Sequence, residues 1–465
     1  MTSVVERASD SSRQWGVEPV PPEVRTLSGF DLAILWGDLG VGLLVLVTGG
    51  LLVPGLSFAA AMGAIVVGSL AGVAMLGITG AIGAHRGVPT MALFRPVLGV
   101  RGSWLPSVLN FAQLIGWTAV ELWAMSLVAD IVAREVFGFS ARYLWLGIVA
   151  VFCTGLALWG PIGVTRVYLK SFGAWVVLGI CVALTIFVFA GDGIGDALRS
   201  RGTGGWPTFG LAVDLVIAMP VSWLPLVADY TRFGRGARSA GWGTALGYLA
   251  ANVWLYALGA LIVLNSGEAP EPAGIALGIL AVAGGTLAGV LFLVGILVGE
   301  TDEAFADIYS GAVSLQNVFP DASRRLLTIL IAAVGTGLAA VLTMQLYESF
   351  LFLLGSVFVP LFGVLVADYA VFRERTIVHR VRWTAFVPWL AGFLAYHWIA
   401  PTGPEWWTSF SGTLFGTPLS ARFAWLGASV PSFVIAAALT WLLARVLPPP
   451  ATGGIVSGAT VQSER

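Results

Sequence analysis

Long apolar runs, separated by short polar connections, recur along the whole chain. Two of them, AAAMGAIVVGSLAGVAML at 59–76 and GAWVVLGICVALTIFVFA at 173–190, are apolar on every side rather than at alternate positions. Each run is close to the roughly 20 residues that a helix needs to cross a bilayer, whereas the strands of a membrane barrel alternate apolar and polar residues. The pattern therefore predicts an all-α polytopic membrane protein.

The same pattern predicts about twelve transmembrane helices. Their expected bounds are 30–52, 58–82, 104–133, 143–159, 167–190, 208–228, 240–264, 284–316, 323–344, 347–371, 384–400 and 422–446. Residues 1–29 are polar and lack the apolar core of a signal peptide, so they are expected to form a cytoplasmic tail. The Pro- and Gly-bearing residues 447–465 are expected to be a disordered tail.

Composition supports this class and excludes others. Only 11% of the 465 residues are charged, 57% are hydrophobic, and the mean hydropathy is +0.89. The net charge of −1 comes with no basic patch, so nucleic acid is not an expected partner. Cys153 and Cys181 lie in apolar runs, and His85, His379 and His397 are isolated, without the spacing of metal ligands. We therefore expect a lipid bilayer around the chain, and neither a cofactor nor a Cys or His metal centre.

The distribution of basic residues predicts the orientation. If the amino terminus is cytoplasmic, all but five of the 24 Lys and Arg residues fall on the cytoplasmic side. Since positive residues favour the cytoplasmic side, both termini are expected there, in the inner (plasma) membrane of a cell. The five exceptions are Arg134, Arg142, Arg199, Arg201 and Arg422.

Two predicted spans contain residues that interrupt helices. In the first, LWGDLGVG places Gly37, Gly40 and Gly42 around Asp38, which indicates local unwinding or, alternatively, close packing of helices through glycine. In the sixth, MPVSWLPL carries one proline on each side of Trp223, which indicates a break or a simple kink. The first and sixth spans correspond to each other when five spans are repeated with inverted topology.

The eighth predicted span contains an acidic run, VGETDEAFADIYSGAVS. Glu300, Glu303 and Asp307 share one helix face, while Thr301 and Asp302 point elsewhere. Four acids within eight residues, with no Lys or Arg among them, cannot all be ionised in a dry environment. One alternative is that the run is buried, with its acids protonated, hydrated or bound to a cation. The other is that it is a solvated loop that follows a short span at 284–299.

The third span carries a polar stripe within QLIGWTAVE. Gln113, Trp117 and Glu121 are four residues apart and share one face of a helix. An amide and a carboxylate facing lipid would cost several kcal/mol or more, so this face must contact protein, water or a ligand.

The order of four motifs makes the chain similar to the nucleobase-cation symporters, which include cytosine, hydroxymethylpyrimidine and hydantoin permeases. The motifs are GFDLAILWGDLG at 29–40, FRPVLGVRGSWLPSVLN at 94–110 followed by GWTAVE, VADYTRFGR at 227–235 and ADIYSGAVSLQNVFP at 306–320. The resemblance implies a LeuT-type fold with two inverted five-helix repeats, at 30–190 and 208–371. Helices 1 and 6 would be broken, and two additional helices would occupy 384–446.

The resemblance also implies a substrate site. A planar heterocycle would stack on Trp117 and hydrogen-bond Glu121 one turn later, so that the polar stripe faces the substrate. Further positions implied for substrate binding are Gln113, Gly42, Pro220, Trp223 and Asp307. A cation, Na+ or H+, would be held by backbone oxygens of Asp38, Val41 and Val298 and by the side chains of Thr301 and Asp302. Oxygen ligands of this kind suit a hard cation.

This chain departs from the pattern of the hydantoin transporters at several of these positions. Gly42 replaces a glutamine and Pro220 a stacking tryptophan, a role that Trp223 would take over. Carboxylates at Glu121 and Asp307 replace amides, and an ionised carboxylate accepts hydrogen bonds but cannot donate them. We therefore expect a substrate with amino and ring N–H donors, such as cytosine or hydroxymethylpyrimidine.

The expected function is thus secondary active import by cation symport, by a protein that is not an enzyme and acts as a monomer. Alternatives are the same fold carrying a purine, uracil, hydantoin, allantoin or an amino acid. A membrane-embedded enzyme is a more distant alternative, because no nucleophile and base pair accompanies the acidic run. A channel would show conductance without accumulation of a base.

Overall fold

The computed structural model describes residues 17–159, 173–283, 286–373 and 380–447, and this part of the chain is helical. Within these residues one isolated β-bridge joins Leu27 to Gly234. The predictions for the tails largely fall outside the described residues, as do the basic residues Arg166, Lys170 and Arg375 and the residue His379.

The described helices are numbered in chain order after a single 3-10 turn at Pro22–Val24. They are α1 Gly29–Asp38, α2 Leu43–Leu51, α3 Phe58–Arg86, α4 Thr90–Leu98, α5 Trp104–Phe137, α6 Arg142–Trp159, α7 Gly173–Ala190, α8 Ile194–Leu198, α9 Phe209–Ser222, α10 Val227–Thr231, α11 Ala237–Ser266, α12 Pro272–Val282, α13 Thr286–Gln316, α14 Arg324–Ala339, α15 Met344–Val371, α16 Trp383–Ile399, α17 Glu405–Phe415, α18 Leu419–Arg422 and α19 Ser429–Val446.

A helix or a broken pair of helices lies over each of the twelve predicted spans. Among the described residues, six unbroken helices are by themselves long and apolar enough to cross a membrane, and the α1 and α2 pair makes a seventh. The remaining spans are broken or short or, in the case of α13, contain several acidic residues. The short helices α4, α8, α12, α17 and α18 lie between or beside the predicted spans and were not expected.

The first span is broken, as the sequence predicts. Helix α1 begins with a capping box in which Ser28 and Asp31 satisfy each other's backbone N–H groups, at 3.1 and 2.9 Å. It ends at Asp38, and α2 starts at Leu43 with its axis bent by 65° from that of α1. Glycine also serves close packing here, since Gly37 faces the backbone of Gly247 on α11.

The sixth span is broken between Ser222 and Val227, so a simple kink at Pro220 does not describe it. Pro220 lies inside α9, and the chain unwinds after it, around Pro225. The side-chain amide of Asn110 on α5 donates to the carbonyl of Pro225 at 3.3 Å and to Ser314 on α13 at 2.6 Å. The open backbone of the break is therefore held by the two neighbouring helices.

The acidic run belongs to a single helix. Helix α13 continues from Thr286 to Gln316, and every residue from Glu300 to Ser314 is buried. The interpretation of this run as a solvated loop is therefore wrong. Helix α13 packs against α5, and it brings its acidic face to the break in the first span.

Candidate functional site

The polar stripe of α5 faces a small cavity inside the protein. The cavity is enclosed by α5, α9 and α13 and measures about 10 Å³, enough for about one water molecule. Its lining residues are Trp117, Glu121, Met219, Ser222, Trp223, Glu303 and Asp307. The structure thus gathers four of the residues expected at the substrate site around one space: Trp117, Glu121, Trp223 and Asp307.

Trp117 is fixed by aromatic neighbours on α15. Its ring meets the edges of Tyr347 and Phe350, with centroids 6.3 and 5.4 Å apart. The hydroxyl of Tyr347 lies 2.8 Å from that of Thr48 on α2, which itself donates to the carbonyl of Leu44 at 2.7 Å. These contacts link the orientation of the indole to the second half of the broken first span.

Gln113 lies one turn from the cavity and contacts the break in the sixth span instead. Its amide nitrogen donates to Asn110 at 2.8 Å and to the carbonyl of Ser222 at 3.3 Å. Its side-chain oxygen is buried without a hydrogen-bond partner among the described residues. In this geometry Gln113 positions the end of α9, where Ser222 and Trp223 line the cavity.

Three buried glutamates from two helices meet beside the cavity. Carboxylate oxygens of Glu121, Glu300 and Glu303 lie within 4.8 Å of one another. A fourth acid, Asp307, lines the same cavity as Glu121 and Glu303. This geometry concentrates negative potential at the point where α5 and α13 face the first span.

Gly42 connects the broken first span to these glutamates. A Cβ atom at position 42 would lie 2.6 Å from Oε1 of Glu303 and 3.0 Å from Oε1 of Glu300. The next residue, Leu43, donates its backbone N–H to Glu300. Glu300 therefore satisfies one of the free N–H groups at the start of α2, where Gly42 provides no side-chain cap. Gly42 itself does not line the cavity.

The expected cation ligands lie on the other side of the same break. The carboxyl groups of Asp38 and Asp302 are neighbours, and Oδ2 of each is buried without a hydrogen-bond partner among the described residues. The hydroxyl of Thr301 donates to the carbonyl of Val298 at 2.7 Å. Val41 follows Asp38 in the unwound segment, where its N–H donates to the Asp38 carbonyl at 2.9 Å.

A larger cleft reaches Asp38 from the side of α7 and α11. Its volume is about 190 Å³, and Gly37, Asp38 and Val41 form one of its walls. Trp175 on α7 and Trp254 on α11 contribute to the opposite walls. The end of α1 is therefore much more accessible than the cavity beside Trp117.

Pro220 and Trp223 occupy different environments. Pro220 packs against Gly72 on α3 and does not line the cavity, whereas Met219 and Ser222 on either side of it do. Trp223 lines the cavity and meets Trp36 of α1 edge to face at 5.8 Å. Trp223 therefore links the two broken spans.

Tyr347 and the pair Glu300 and Glu303 were not assigned to the site from sequence. The two glutamates were visible as part of the acidic run, but nothing in the run indicated that they would meet Glu121. Tyr347 lies in a largely apolar helix, and a buried hydroxyl normally requires a polar partner. That requirement was the available signal, although it does not identify Thr48 as the partner.

Other buried acids have structural partners. Asp214 accepts hydrogen bonds from the backbone N–H groups of Ala428 and Ser429 at 2.6 and 2.9 Å, where α19 begins. Asp229, in the motif VADYTRFGR, accepts one from the N–H of Thr90 at 2.9 Å. Both accept hydrogen bonds from backbone N–H groups at the start of a helix, where negative charge is stabilising, and neither lines the cavity beside Trp117.

Comparison with known proteins places the chain among membrane permeases. Residues 19–416 match a family described as permeases for cytosine and purines, uracil, thiamine and allantoin. A cytosine permease of Escherichia coli (strain K12) is 28% identical over 367 residues, which cover 76% of this chain and 81% of that protein.

Two solved structures share the fold. One is Mhp1, described as a nucleobase-cation-symport-1 family transporter in a closed conformation with bromovinylhydantoin bound. It superimposes with a TM-score of 0.75 at 21% identity, covering 93% of this chain and 96% of Mhp1. MhsT in complex with L-phenylalanine gives a TM-score of 0.57 at 15% identity over 88% and 98% of the two chains. The expected LeuT-type helical fold is therefore confirmed.

Proposed function

Because the chain belongs to the family of permeases for cytosine and purines, uracil, thiamine and allantoin, we propose that it imports an aminopyrimidine, cytosine or hydroxymethylpyrimidine, by cation symport. It is a membrane transporter and not an enzyme, and the resemblance to nucleobase-cation symporters is confirmed. The observation that carries the choice of substrate is the shared cavity of Trp117, Glu121 and Asp307.

The chemistry of this cavity fits an aminopyrimidine. The indole of Trp117 offers a flat apolar surface, and stacking of a base on an aromatic ring contributes about 1–3 kcal/mol. Glu121 and Asp307 supply carboxylate oxygens, which accept hydrogen bonds from an exocyclic amino group or a ring N–H. The edge of uracil, hydantoin or allantoin presents more carbonyl oxygens, and these would face carboxylates unfavourably.

A planar ring needs more room than the present cavity of about 10 Å³ provides. Met219 and Trp223 lie at the break in the sixth span, where the backbone is least constrained by helical hydrogen bonds. Movement of this segment admits the base in our proposal, and its return encloses the base. Such local rearrangement around broken helices is how transporters of this type alternate access.

The coupling ion in this proposal is Na+, with H+ as the alternative. The buried, unpartnered Oδ2 atoms of Asp38 and Asp302 supply oxygen ligands that suit a hard cation. Val41 and Val298 would add carbonyl oxygens and Thr301 its hydroxyl. These residues come from α1, the unwound segment and α13, so a bound cation would favour the conformation in which the three elements meet.

The cleft beside Asp38 gives this ion a route to solution. In the proposed orientation, with both termini in the cytoplasm of a cell and the chain in its plasma membrane, α1 and α7 start on the cytoplasmic side. The cleft between them would release the cation inward. We further propose that the monomer is the transporting unit, since the cavity and the ion ligands come from one chain.

An amino acid is a weaker candidate for the cargo. Its carboxylate needs N–H groups at a helix end, but the N–H of Leu43 at the start of α2 is already bonded to Glu300. The acids around the cavity would also repel a carboxylate.

Uptake in cells that lack their own base permeases tests the substrate. Radiolabelled cytosine is supplied with an excess of unlabelled hydroxymethylpyrimidine, adenine, uracil, hydantoin or allantoin. Accumulation that is blocked by an aminopyrimidine and not by uracil or hydantoin supports the proposal. Hydroxymethylpyrimidine is labelled next if cytosine fails, and absence of uptake for both would overturn the assignment.

A further inference from the structure

The cluster of Glu121, Glu300 and Glu303 has a geometry that one base cannot explain. Their exposed fractions are 1%, 0% and 4%, and their carboxylate oxygens lie within 4.8 Å of one another. Glu300 does not line the cavity beside Trp117, although Glu121 and Glu303 do. The cluster therefore extends past the proposed substrate position towards the first span.

Each of these glutamates has an oxygen without a partner. Oε2 of Glu121, Oε2 of Glu300 and Oε1 of Glu303 are buried and accept no hydrogen bond in the part of the chain that the structure describes. Buried carboxylate oxygens left unpaired are costly, since the desolvation of a charged group exceeds that of a neutral one. The three carboxylates therefore require a shared positive partner or bound hydrogens.

The spacing suits a hard cation. Two oxygens that share one ion at about 2.4 Å each lie at most about 4.8 Å apart. The observed separations satisfy this limit. Gly42 allows the Glu303 carboxylate to approach the first span closely, because a Cβ there would lie 2.6 Å from Oε1 of Glu303.

This cluster is distinct from the proposed ligands around Asp38. Residues two positions apart on a helix do not face each other, so Glu300 and Asp302 point to different sides of α13. Asp302 meets Asp38 of α1, whereas Glu300 meets Leu43 of α2 and Glu121 of α5.

We propose that Glu121, Glu300 and Glu303 form a second binding site for a hard monovalent cation, with Na+ as its probe and with bound hydrogens on the carboxyl groups whose charge one Na+ does not neutralise. The inference rests on the proposed cation symport and adds a second ion to it. The site touches the start of α2 through Glu300 and the substrate cavity through Glu121 and Glu303. Ion binding there joins the base to the broken first span, and two cations accompany each neutral base.

Equilibrium binding of radioactive Na+ to the purified protein, without any base, tests the second site. The variants are Glu303→Gln, which removes a negative charge from the cluster and leaves a weaker amide oxygen in its place, and Asp302→Asn, which does the same in the other ligand set. Glu135→Gln is the matched control, since Glu135 is an exposed acid on the same helix as Glu121. Wild type and Glu135→Gln are expected to bind two Na+ per chain, and each of the other variants one.

Two results would overturn the second site: one Na+ per chain in the wild type, or two in a folded Glu303→Gln protein. Size-exclusion chromatography checks folding, and Glu300→Gln replaces Glu303→Gln if the latter does not fold. If neither folds, the charge moved per base in wild-type proteoliposomes decides, with two charges supporting the site and one contradicting it.

The same experiments separate this inference from the proposed function. Two bound Na+ without transport of any aminopyrimidine would overturn the proposed cargo and leave the second site intact. Cytosine transport with one bound Na+ would overturn the second site alone. Transport driven by a proton gradient, with no Na+ bound, would overturn both proposed Na+ sites.

Discussion

Glu300 on α13 accepts a hydrogen bond from the backbone N–H of Leu43, the first residue of α2. The two residues are 257 positions apart, and their bond joins the break in the first span to the acidic face of the eighth. Free N–H groups at a helix start carry partial positive charge, so a buried carboxylate is favourable there. This contact connects the proposed substrate cavity and the proposed cation sites to the break in the first span.

Replacing Glu300 by Ala tests that contact. Loss of a charged acceptor from a buried N–H typically costs about 1–3 kcal/mol, so we expect a lower thermal transition temperature and weaker dependence of base binding on Na+. Glu300→Gln keeps an acceptor oxygen and should retain most of the stability but not the ion dependence. Thermal unfolding in detergent, with and without Na+, measures both. Equal stability of Glu300→Ala and wild type would contradict the assignment.

Trp117→Ala should weaken binding of the base. Losing a stacking partner worth about 1–3 kcal/mol raises the dissociation constant roughly 5- to 150-fold. Trp117→Phe should lose less, because a smaller flat ring remains. The control is Trp242→Ala, since Trp242 on α11 is 59% exposed and lines neither the cavity beside Trp117 nor the cleft beside Asp38. Binding measured by isothermal titration calorimetry gives the ratio, and unchanged affinity in Trp117→Ala would remove Trp117 from the site.

Glu121→Gln should change which base is accepted. An amide can both donate and accept, so the variant is expected to bind uracil better and cytosine worse than the wild type does. The ratio of the two affinities should shift about tenfold, which corresponds to about 1.4 kcal/mol. Competition of each base against labelled cytosine measures the shift. If Glu121→Gln and the exposed-site control Glu135→Gln show the same selectivity, Glu121 does not contact the base.

Gly42→Ala should impair transport while the protein still inserts into the membrane. The added methyl group would lie 2.6 Å from Oε1 of Glu303, so the carboxylate or the start of α2 must move. We expect at least a tenfold lower uptake rate at limiting Na+ and partial recovery at high Na+. Gly155→Ala on α6 is the matched control, because no atom lies within 4 Å of its added Cβ. Normal Na+ dependence in Gly42→Ala would show that the close contact between position 42 and Glu303 is unimportant for transport.

Several features of the fold follow from local sequence. The apolar runs predict where the spans lie, because a helix of about 20 apolar residues is long enough to cross a bilayer. Gly40, Gly42 and Pro225 likewise indicate the two breaks, since these residue types weaken or prevent helical hydrogen bonds. The short helices α12 and α17 have 11 residues each, too few to cross a bilayer, so a pattern of long apolar runs does not predict them.

The arrangement of the candidate site is harder to predict from the sequence than the fold is. The periodicity of α5 indicates that Trp117 and Glu121 share a face, but it cannot show which helix lies opposite. The meeting of Glu121 with Glu300 depends on how α5 packs against α13, and these residues are far apart in the chain. Gln113 shows the same limit, because it shares the face of Trp117 and yet bonds to the break at Ser222.

Accumulation of radiolabelled cytosine in proteoliposomes that contain only this protein tests the central claim most directly. An inward Na+ gradient is imposed, and hydroxymethylpyrimidine is labelled in a parallel measurement. The account predicts that at least one of the two compounds accumulates above its outside concentration, and that Trp117→Ala lowers the initial rate of accumulation while Glu135→Gln does not. Equilibration of both compounds without accumulation, under Na+ and proton gradients alike, would contradict it.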